Sequence, residues 1–225
     1  MPIHAKTKDK FPYVMSTKET LNYIVTTGCS VSRFGDGELW YVMGGWSHDF
    51  YEQKQSAALQ KRLIEILTYK STRSMLIAIP PLTQSIKSEA KWWKDWWGSH
   101  LPKLHPYFIH PAYGNSMISR PLAFAENTTE DIKRLWHQKD VVFVYGKGGH
   151  FEANCPLFDN IKSKKVILTP AKDAFEQYET ILKECLKEQK HKTFLIACGA
   201  CATVLAFDLH RHGYQALDIG HINMF

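Results

Sequence analysis

The sequence has 225 residues, a formal net charge of +6, 44% hydrophobic residues and 22% charged residues. This length suits one α/β domain, and the composition is ordinary for a soluble globular protein. No apolar run approaches the roughly 18 residues that span a bilayer, and the first residues lack the apolar core of a secretory signal. We therefore expect a cytoplasmic protein. Its positive charge favours an anionic partner such as a nucleotide, a phosphorylated sugar or an acidic membrane surface, and not nucleic acid in particular.

The first third of the chain predicts two helices and two strands. "STKE" at 16–19 is a capping box, and helical periodicity follows it. "VSRF" at 31–34 predicts a short strand that leads into the acidic turn "GDGE" at 35–38. Leucines and isoleucines at 59–67 predict a second helix, and "SMLIAI" at 74–79 predicts a buried strand that two prolines end.

The segment from about 82 to 138 is less regular and rich in tryptophan. Its tryptophans share one broad helical face: Trp92, Trp93, Trp96 and Trp97. This face is either a packing surface or an aromatic platform for a sugar ring or an acceptor, and the pattern leaves both interpretations open. "PAYGNSMISRPL" at 111–122 is predicted to be a loop that carries Arg120.

The last third alternates apolar strands with helices. "VVFVY", "KVILTP", "TFLIAC" and "YQALDI" are unbroken apolar runs separated by helical or loop segments. This alternation predicts a Rossmann-like α/β fold, a mostly parallel sheet with helices on both faces, in one domain over residues 1–225. Ligands of such folds bind at the carboxyl ends of the strands.

Several glycine-rich or polar loops follow the predicted strands and should gather along that edge. They are "GDGE", "GKGGH", "PAKD", "GACA" and "GHIN". Phosphate groups are commonly held there by glycine-rich turns and helix N-termini, so Gly35, Gly37 and Gly199 are candidate substrate-binding positions. None of these loops is a specific nucleotide fingerprint.

The acidic turn places Asp36 and Glu38 one residue apart between glycines. Mg²⁺ or Mn²⁺ takes one or two carboxylates and completes its shell with substrate phosphates and water, so the pair suits a substrate that carries a diphosphate. Arg33, with Arg120 or Lys147, would add positive charge. A surface turn made of ordinary turn residues is the open alternative.

A C-x-x-C pair, Cys198 and Cys201, lies where a strand runs into a helix, which is the placement of a thiol redox pair. Too little chain follows it for a thioredoxin core, and no proline stands beside the thiols. No second pair at zinc-ligand spacing follows. Five cysteines, an odd number, argue against a closed disulfide framework. A thiol redox protein stays the weaker alternative.

"SRFGDGEL" resembles the signature of the GT-D glycosyltransferases, a bacterial family first catalogued as a domain of unknown function. The likeness continues through "YGNSMISRPL", "NCPLFDNIKSKKVILTPAKDAF" and "CGACATVLAFDLHRHGYQALDIGHI", in the same order, and covers about residues 16 to 222. Members of that family are thought to transfer a sugar from a nucleotide sugar, typically UDP-glucose, with Mn²⁺ held through the D-x-E motif. The resemblance therefore implies a GT-D type of α/β fold and a hexosyltransferase.

On that resemblance Asp36 and Glu38 are the catalytic residues that hold the metal and the diphosphate, and Arg33 is their neighbour. The remaining lining is implied to be Asn154, Lys172, Thr203, Asp218 and His221.

The sequence departs from the family at Tyr145, where an acidic residue is usual, and at Gly149 and His150, where a Ser-Arg pair is usual. After "GHI" the family continues with acidic and aromatic residues, whereas this sequence reads Asn223 and stops at Phe225. Asp218 or His221 is then expected to be the base that deprotonates the acceptor hydroxyl.

The resulting hypothesis is a glycosyltransferase that needs Mn²⁺ or Mg²⁺ and takes a nucleotide-sugar donor. Its acceptor would be a glycan, a glycoprotein or a lipid-linked glycan, and it would work in the cytoplasm or at the inner face of the membrane as a peripheral protein. A non-catalytic protein that binds a sugar nucleotide or a glycan is the main alternative. The sequence does not give the oligomeric state.

Overall fold

The computed structural model describes residues 11–45, 53–54 and 56–224, so Phe225 and the first ten residues lie outside the described part. The strands are β1 (Tyr13–Val14), β2 (Ser30–Arg33), β3 (Met75–Ile79), β4 (Ala112–Asn115), β5 (Asp140–Gly146), β6 (Ser163–Thr169), β7 (Thr193–Ala197) and β8 (Gln215–Asp218). The helices are α1 (Thr17–Thr27), α2 (Asp36–Val42), α3 (Ala57–Leu67), α4 (Lys87–Leu104), α5 (Pro121–Glu126), α6 (Thr129–Lys133), α7 (Tyr178–Cys185) and α8 (Ala200–Arg211).

The eight strands form one sheet in the order β1-β4-β3-β2-β8-β7-β5-β6. Each pairing between these strands is parallel. The first four strands and the last four meet at the centre, where Val31 of β2 lies beside Leu217 of β8. The predicted α/β fold with a mostly parallel sheet is confirmed.

Alternate residues of each central strand pack on opposite faces of the sheet. In β3, Met75, Ile77 and Ile79 join a core that includes residues of α2, α3, α4, α7 and α8. Leu76 and Ala78 join a second core with residues of α1, α5 and α6. Because both faces are covered, an unbroken apolar run is the sequence pattern that such strands require. Because the strands run parallel, their carboxyl ends lie at one edge of the sheet, and the loops that follow them converge there.

The helix ends follow the predicted capping signals. Ser16 accepts a hydrogen bond from the Glu19 amide at 3.1 Å, and the Glu19 side chain accepts one from the Ser16 amide at 2.7 Å. Gly28 ends α1 in the left-handed region, at φ 68°. Local hydrogen bonding thus fixes α1 directly before β2 and the acidic segment.

The prediction of a loop over 111–122 is wrong. This segment forms β4, a 3₁₀ helix at Ser116–Ser119 and the start of α5. A Cβ on Gly114 would lie 2.8 Å from the Leu76 side chain, so glycine lets β4 pack closely against the core beside β3. The described helices include none that is both long and apolar enough to cross a membrane.

Candidate active site

The acidic segment begins a helix and is not a bare turn. Gly35 is the N-cap of α2, and its backbone N–H donates to Glu38 Oε2 at 2.8 Å. Asp36 is the first residue of this helix. Carboxylates in a first helical turn interact favourably with the unpaired N–H groups there, so α2 holds these two carboxylates at a fixed place. Both carboxylates are half-buried at the carboxyl edge of the sheet.

A buried ion pair lies beneath α2. The Arg33 guanidinium donates from Nη2 to Asp218 Oδ1 at 3.2 Å and from Nε to the Asp218 carbonyl at 2.8 Å. Its Nη1 donates to the Ser116 carbonyl at 2.7 Å. Thr203 Oγ1 lies 2.8 Å from the Arg33 carbonyl and 3.3 Å from Asp218 Oδ2. We call Arg33, Asp218, Thr203 and Ser116 the floor of the site.

The floor gives two predicted residues different roles. Thr203 is fully buried and lies within hydrogen-bonding distance of Arg33 and Asp218, so it positions these two residues. It lines neither of the two cavities at this edge of the sheet, contrary to the prediction. Asp218 is 4% exposed, and donors from Arg33, Thr203 and the Gly220 amide engage both of its oxygens. Burial raises the pKa of Asp218, and the Arg33 charge opposes that rise. A carboxylate held this way is poorly placed to take a proton from an acceptor.

Two adjoining cavities open at this edge of the sheet. The first, of about 460 Å³, we call the glycine-rich cavity. More than half of its lining residues come from the ends of β5 and β7 and from the segments that follow β5, β6 and β7. Its lining comprises Asp36, Gly37, Glu38, Tyr41, Gln53, Arg120, Gly146, Gly149, His150, Phe151, Ala171, Ala174, Ala197, Cys198, Gly199, Ala200 and His221.

The second cavity, of about 500 Å³, we call the tryptophan cavity. The first turns of α4 and the start of α5 form one wall, and the floor forms its base. Its lining comprises Arg33, Gly35, Asp36, Glu38, Glu89, Trp92, Trp93, Met117, Arg120, Pro121, Ala197, Gly199, Asp218, Gly220 and His221.

The two cavities share a rim, which consists of Asp36, Glu38, Arg120, Ala197, Gly199 and His221. Burial raises the pKa of Glu38, and the charge of Asp218 adds to that rise. Burial and the neighbouring Arg33 lower the pKa of Arg120, against the attraction of Asp36, Glu38 and Glu89. The rim therefore places one guanidinium among several carboxylates, between two spaces large enough for ligands.

His221 also belongs to the rim. Although part of its ring is exposed, partial burial and then the charges of Arg120 and Arg33 lower its pKa to about 4. The ring is consequently neutral near pH 7.

Three predicted lining residues lie elsewhere. Lys147, Asn154 and Lys172 are exposed, and the described linings of the two cavities do not include them. The Asn154 side chain accepts a hydrogen bond from Lys164 on β6, the edge strand. Lys147 and Lys172 are close in sequence to lining residues, Gly146 and Ala171, but their side chains do not form the wall.

The cysteine pair does not have the character of a reactive thiol site. Cys198 and Cys201 are both buried. A hydrogen bond with Cys201, together with burial, raises the pKa of Cys198 well above its ordinary value. Because the thiolate is the reactive form, these surroundings argue against the thiol redox hypothesis.

The rim carries two carboxylates that could bind a metal ion, Asp36 and Glu38. Among the described residues, no group of three or more His, Cys, Asp or Glu side chains could hold a metal ion. Asp36 and Glu38 fit the other kind of site, in which a Mg²⁺ or Mn²⁺ ion takes one or two carboxylates and completes its shell with substrate oxygens and water.

A larger cavity, of about 710 Å³, lies away from the rim beside α3, α7 and α8. Its central charges form an internal pair: Arg62 lies 2.5 Å from Asp208, and Tyr178 donates a hydrogen bond to the same carboxylate. None of the predicted site residues is among the described residues that line this cavity.

This arrangement defines a parallel α/β protein with two cavities and a pair of carboxylates at the carboxyl edge of its sheet. Residues 31–224 match the family model described as the glycosyltransferase GT-D fold. The chain therefore belongs to the GT-D fold family of glycosyltransferases, as its motifs predicted.

Two curated relatives are streptococcal. The "Probable glycosyl transferase Gly" of Streptococcus gordonii is 31% identical over 221 residues, which is 93% of this chain and 32% of that protein. "Glycosyltransferase GlyD" of Streptococcus pneumoniae serotype 4 (strain ATCC BAA-334 / TIGR4) is 27% identical over 220 residues, 93% of this chain and 27% of that protein. The chain thus spans about a third of the length of these relatives, or less.

Solved structures share the fold over most of the chain. The structure described as "A New Glycosyltransferase (DUF1792) from Streptococcus sanguinis" superposes with a TM-score of 0.85 at 30% identity. The superposition covers 94% of this chain and 82% of the streptococcal chain. The structure described as "The highly conserved domain of unknown function 1792 has a distinct glycosyltransferase fold" gives a TM-score of 0.83 at 32% identity, with 96% and 80% covered.

Glu89 is a lining residue that the sequence did not predict, and Trp92, for which packing and sugar binding were both left open, lines the tryptophan cavity beside it. A signal for them existed, because α4 follows β3. A helix that follows a parallel strand begins near the carboxyl edge of the sheet, so side chains of its first turns can reach a site there.

Proposed function

We propose that the protein is a metal-dependent glycosyltransferase that transfers a hexose from a nucleotide sugar to a glycan, glycoprotein or lipid-linked acceptor, with UDP-glucose as the first donor to test. The observation that carries the proposal is the shared rim: Asp36, Glu38 and Arg120 lie between two cavities, next to the start of α8. Group transfer needs two substrates to meet at one place, and two cavities with a common charged rim provide that arrangement.

The glycine-rich cavity suits the nucleotide diphosphate. Gly199 precedes the twelve-residue helix α8 and adopts φ 62°, a left-handed conformation that glycine tolerates best. The unpaired N–H groups and the dipole at the start of α8 favour a phosphate there. Across the cavity, a Cβ on Gly146 would lie 2.9 Å from Ala171 Cα, so glycine keeps these two loops close together. The volume lies within the range of small-molecule sites.

Asp36 and Glu38 would hold a Mn²⁺ or Mg²⁺ ion beside that diphosphate. Glu38 Oε2 also accepts from the Gly35 amide, so this carboxylate would share its oxygens between the helix cap and the ion. When bound, such an ion neutralises charge on the diphosphate leaving group. The Arg120 guanidinium, on the same rim, would add a fixed positive charge. Arg33 would act indirectly, by holding Asp218 and the ends of β2 and β8 in register.

The test is thermal stability across a panel of nucleotide sugars, with and without Mn²⁺. Ligand binding to the native state raises stability by mass action, about 2.7 kcal/mol at a ligand concentration 100 times Kd. We expect a metal-dependent increase with one UDP-sugar that is lost in Asp36→Asn and reduced in Glu38→Gln. Glu130→Gln, at an exposed glutamate of α6, is the matched control. No increase with any donor in the wild-type protein would contradict the proposal.

A non-catalytic sugar-nucleotide-binding protein is the second candidate, because the buried Asp218 is poorly placed to act as the predicted base. Metal-dependent donor binding without hydrolysis or transfer across an acceptor panel would favour it. The cytoplasmic location and the contact with a membrane surface stay predictions.

A further inference from the structure

We propose that the tryptophan cavity is the acceptor subsite, in which a pyranose ring of the acceptor stacks on Trp92 and its reacting hydroxyl gives its proton to Glu89. This inference rests on the proposed glycosyl transfer. It adds the place where the acceptor sugar binds, on Trp92, and a base, Glu89, that neither the sequence motifs nor the family resemblance supplied.

Trp92 is a supported and exposed aromatic surface. Its indole is 47% exposed, whereas the neighbouring Trp93 is 5% exposed. The Trp93 ring packs edge-on against Trp92 at 4.7 Å, and the Trp96 ring lies nearly parallel to it at 6.4 Å. These contacts fix the ring before a ligand arrives, which lowers the entropic cost of binding. The apolar face of a pyranose is the chemical partner of such a ring, because it combines C–H groups with a ring of hydroxyls.

Glu89 stands one helical turn before Trp93, in the first turn of α4. Trp93 and Glu89 determine the orientation of the Gln84 side-chain amide. The amide oxygen accepts from Trp93 Nε1 at 3.3 Å, and the amide nitrogen donates to Glu89 Oε2 at 3.2 Å. Gln84 thus links the Glu89 carboxylate to Trp93, the ring that packs against Trp92. The same cavity wall presents a ring for stacking and a carboxylate that accepts hydrogen bonds from hydroxyl groups.

The position of the cavity fits an acceptor. It meets the glycine-rich cavity along Asp36, Glu38, Arg120 and Gly199, so an acceptor in one space faces a donor in the other. In the transfer step, the acceptor oxygen bonds to the anomeric carbon and the bond from that carbon to the diphosphate oxygen breaks. The electron pair leaves with the nucleoside diphosphate, and the hydroxyl proton passes to Glu89.

Glu89 is better suited to this proton transfer than the two bases expected from the sequence. The floor network engages both oxygens of Asp218, and a pKa of about 4 makes His221 a weak base. Burial raises the pKa of Glu89, against the charge of Arg120. A carboxylate with a raised pKa holds a transferred proton more readily, which suits general-base catalysis.

The first experiment tests the stacking surface by binding. Protein labelled with 5-fluorotryptophan is titrated with methyl hexopyranosides and disaccharides in the presence of UDP and Mn²⁺, and the Trp92 resonance is identified as the signal that Trp92→Phe removes. We expect at least one sugar to shift that resonance and to bind about tenfold more weakly to Trp92→Ala. Trp92→Phe should restore most of the affinity. If no sugar shifts the Trp92 resonance, the subsite is wrong.

Ile109→Ala is the matched control for loss of an exposed apolar side chain, since Ile109 is 54% exposed and belongs to neither described lining. It should bind the sugar as the wild-type protein does. Equal weakening in this variant would contradict a specific role for Trp92.

The second experiment separates kcat from KM in the transfer assay with the sugar found above. Glu89→Gln keeps the shape of the side chain, so we expect the donor-induced thermal shift to persist while kcat for transfer falls about 100-fold or more. Trp92→Ala should instead raise the acceptor KM. Unchanged kcat in Glu89→Gln would remove Glu89 as the base.

The two proposals fail in different ways. If no nucleotide sugar stabilises the wild-type protein in Mn²⁺, the proposed transferase function fails. If donor binding and transfer are present but the Trp92 and Glu89 variants behave like the wild-type protein, only the acceptor subsite fails.

Discussion

The floor and the rim of the site differ in how deeply their charged side chains are buried. On the floor, Arg33 and Asp218 are 9% and 4% exposed, and protein groups engage both side chains. On the rim, Asp36, Arg120 and His221 reach the space of two cavities. The floor ties β2 and β8 to α8, whereas the rim borders both cavities. Two residues of one sequence motif, Arg33 and Asp36, therefore lie in different surroundings, and on the proposed function Arg33 would serve stability and Asp36 the chemistry.

The largest effect should follow from breaking the floor. Arg33→Met leaves the Asp218 carboxylate buried without its guanidinium, and loss of one partner of a buried pair costs about 3–5 kcal/mol. Urea denaturation of the variant measures this loss of unfolding free energy. Arg134→Met is the control, because Arg134 is about half exposed and its ion pair with Asp131 is 3.8 Å long. A loss below about 1 kcal/mol for Arg33→Met would show that the pair contributes little.

A smaller loss of unfolding free energy should follow from substitution of Gly220, which lies directly against the Arg33 guanidinium. Gly220 has φ 45°, and a Cβ there would lie 2.1 Å from Arg33 Nη2. Gly220→Ala should therefore lower the unfolding free energy by about 1–3 kcal/mol, through backbone strain and displacement of the guanidinium. Gly98→Ala is the matched control: this helical glycine of α4 has open space around its Cβ position, so alanine should raise stability by about 0.5–1 kcal/mol. Equal effects at both positions would contradict the close approach.

A still smaller effect concerns pH and the rim. The pKa of His221 is about 4 in the folded protein, below the ordinary 6.5, so the unfolded chain binds more protons between these values. The contribution of His221 to the unfolding free energy should fall as pH drops from 6.5 towards 4. The slope should be shallow because the ring is partly exposed. Urea denaturation at several pH values should give a flatter profile for His221→Asn than for the wild-type protein, and equally steep profiles for the two proteins would contradict this prediction.

The smallest effect on stability should follow from Asp36→Asn. Asparagine keeps the volume of the side chain and removes a charge from the first turn of α2, so the unfolding free energy should change by about 0.5 kcal/mol or less. The same variant should lose the stabilisation by donor and Mn²⁺. Calorimetry with and without ligand measures both quantities. A large loss of stability without ligand would place Asp36 with the floor.

Much of the fold could be predicted from the sequence because the central strands are apolar on both faces and α1 carries a clear capping box. The failure at 111–122 has a local cause. β4 is four residues long and contains Gly114 and Asn115, which are poor strand formers, so its pairing with β3 comes from tertiary packing. The start of α2 was hidden by its two glycines, although Glu38 stands three residues after Gly35 as in a capping box.

The site was predictable to the extent that loop position determines it. Loops after parallel strands meet at one edge, which is why Asp36, Glu38, Gly199 and His221 share a rim. The direction of each side chain was not predictable in this way. Thr203 follows Gly199 by four residues, yet the rotation of α8 turns it into the floor. Rotation of a helix depends on the packing of its whole apolar face, which no single motif encodes.

Because Arg120 borders both cavities, the two substrates would not bind independently. An anionic diphosphate on one side of this guanidinium changes the charge that the other cavity presents to its ligand. Coupling of this kind is reciprocal: whatever the donor does to the affinity for the acceptor, the acceptor does to the affinity for the donor. Affinities of the isolated substrates would then differ from those in the ternary complex, and one arginine would set the sign of their cooperativity.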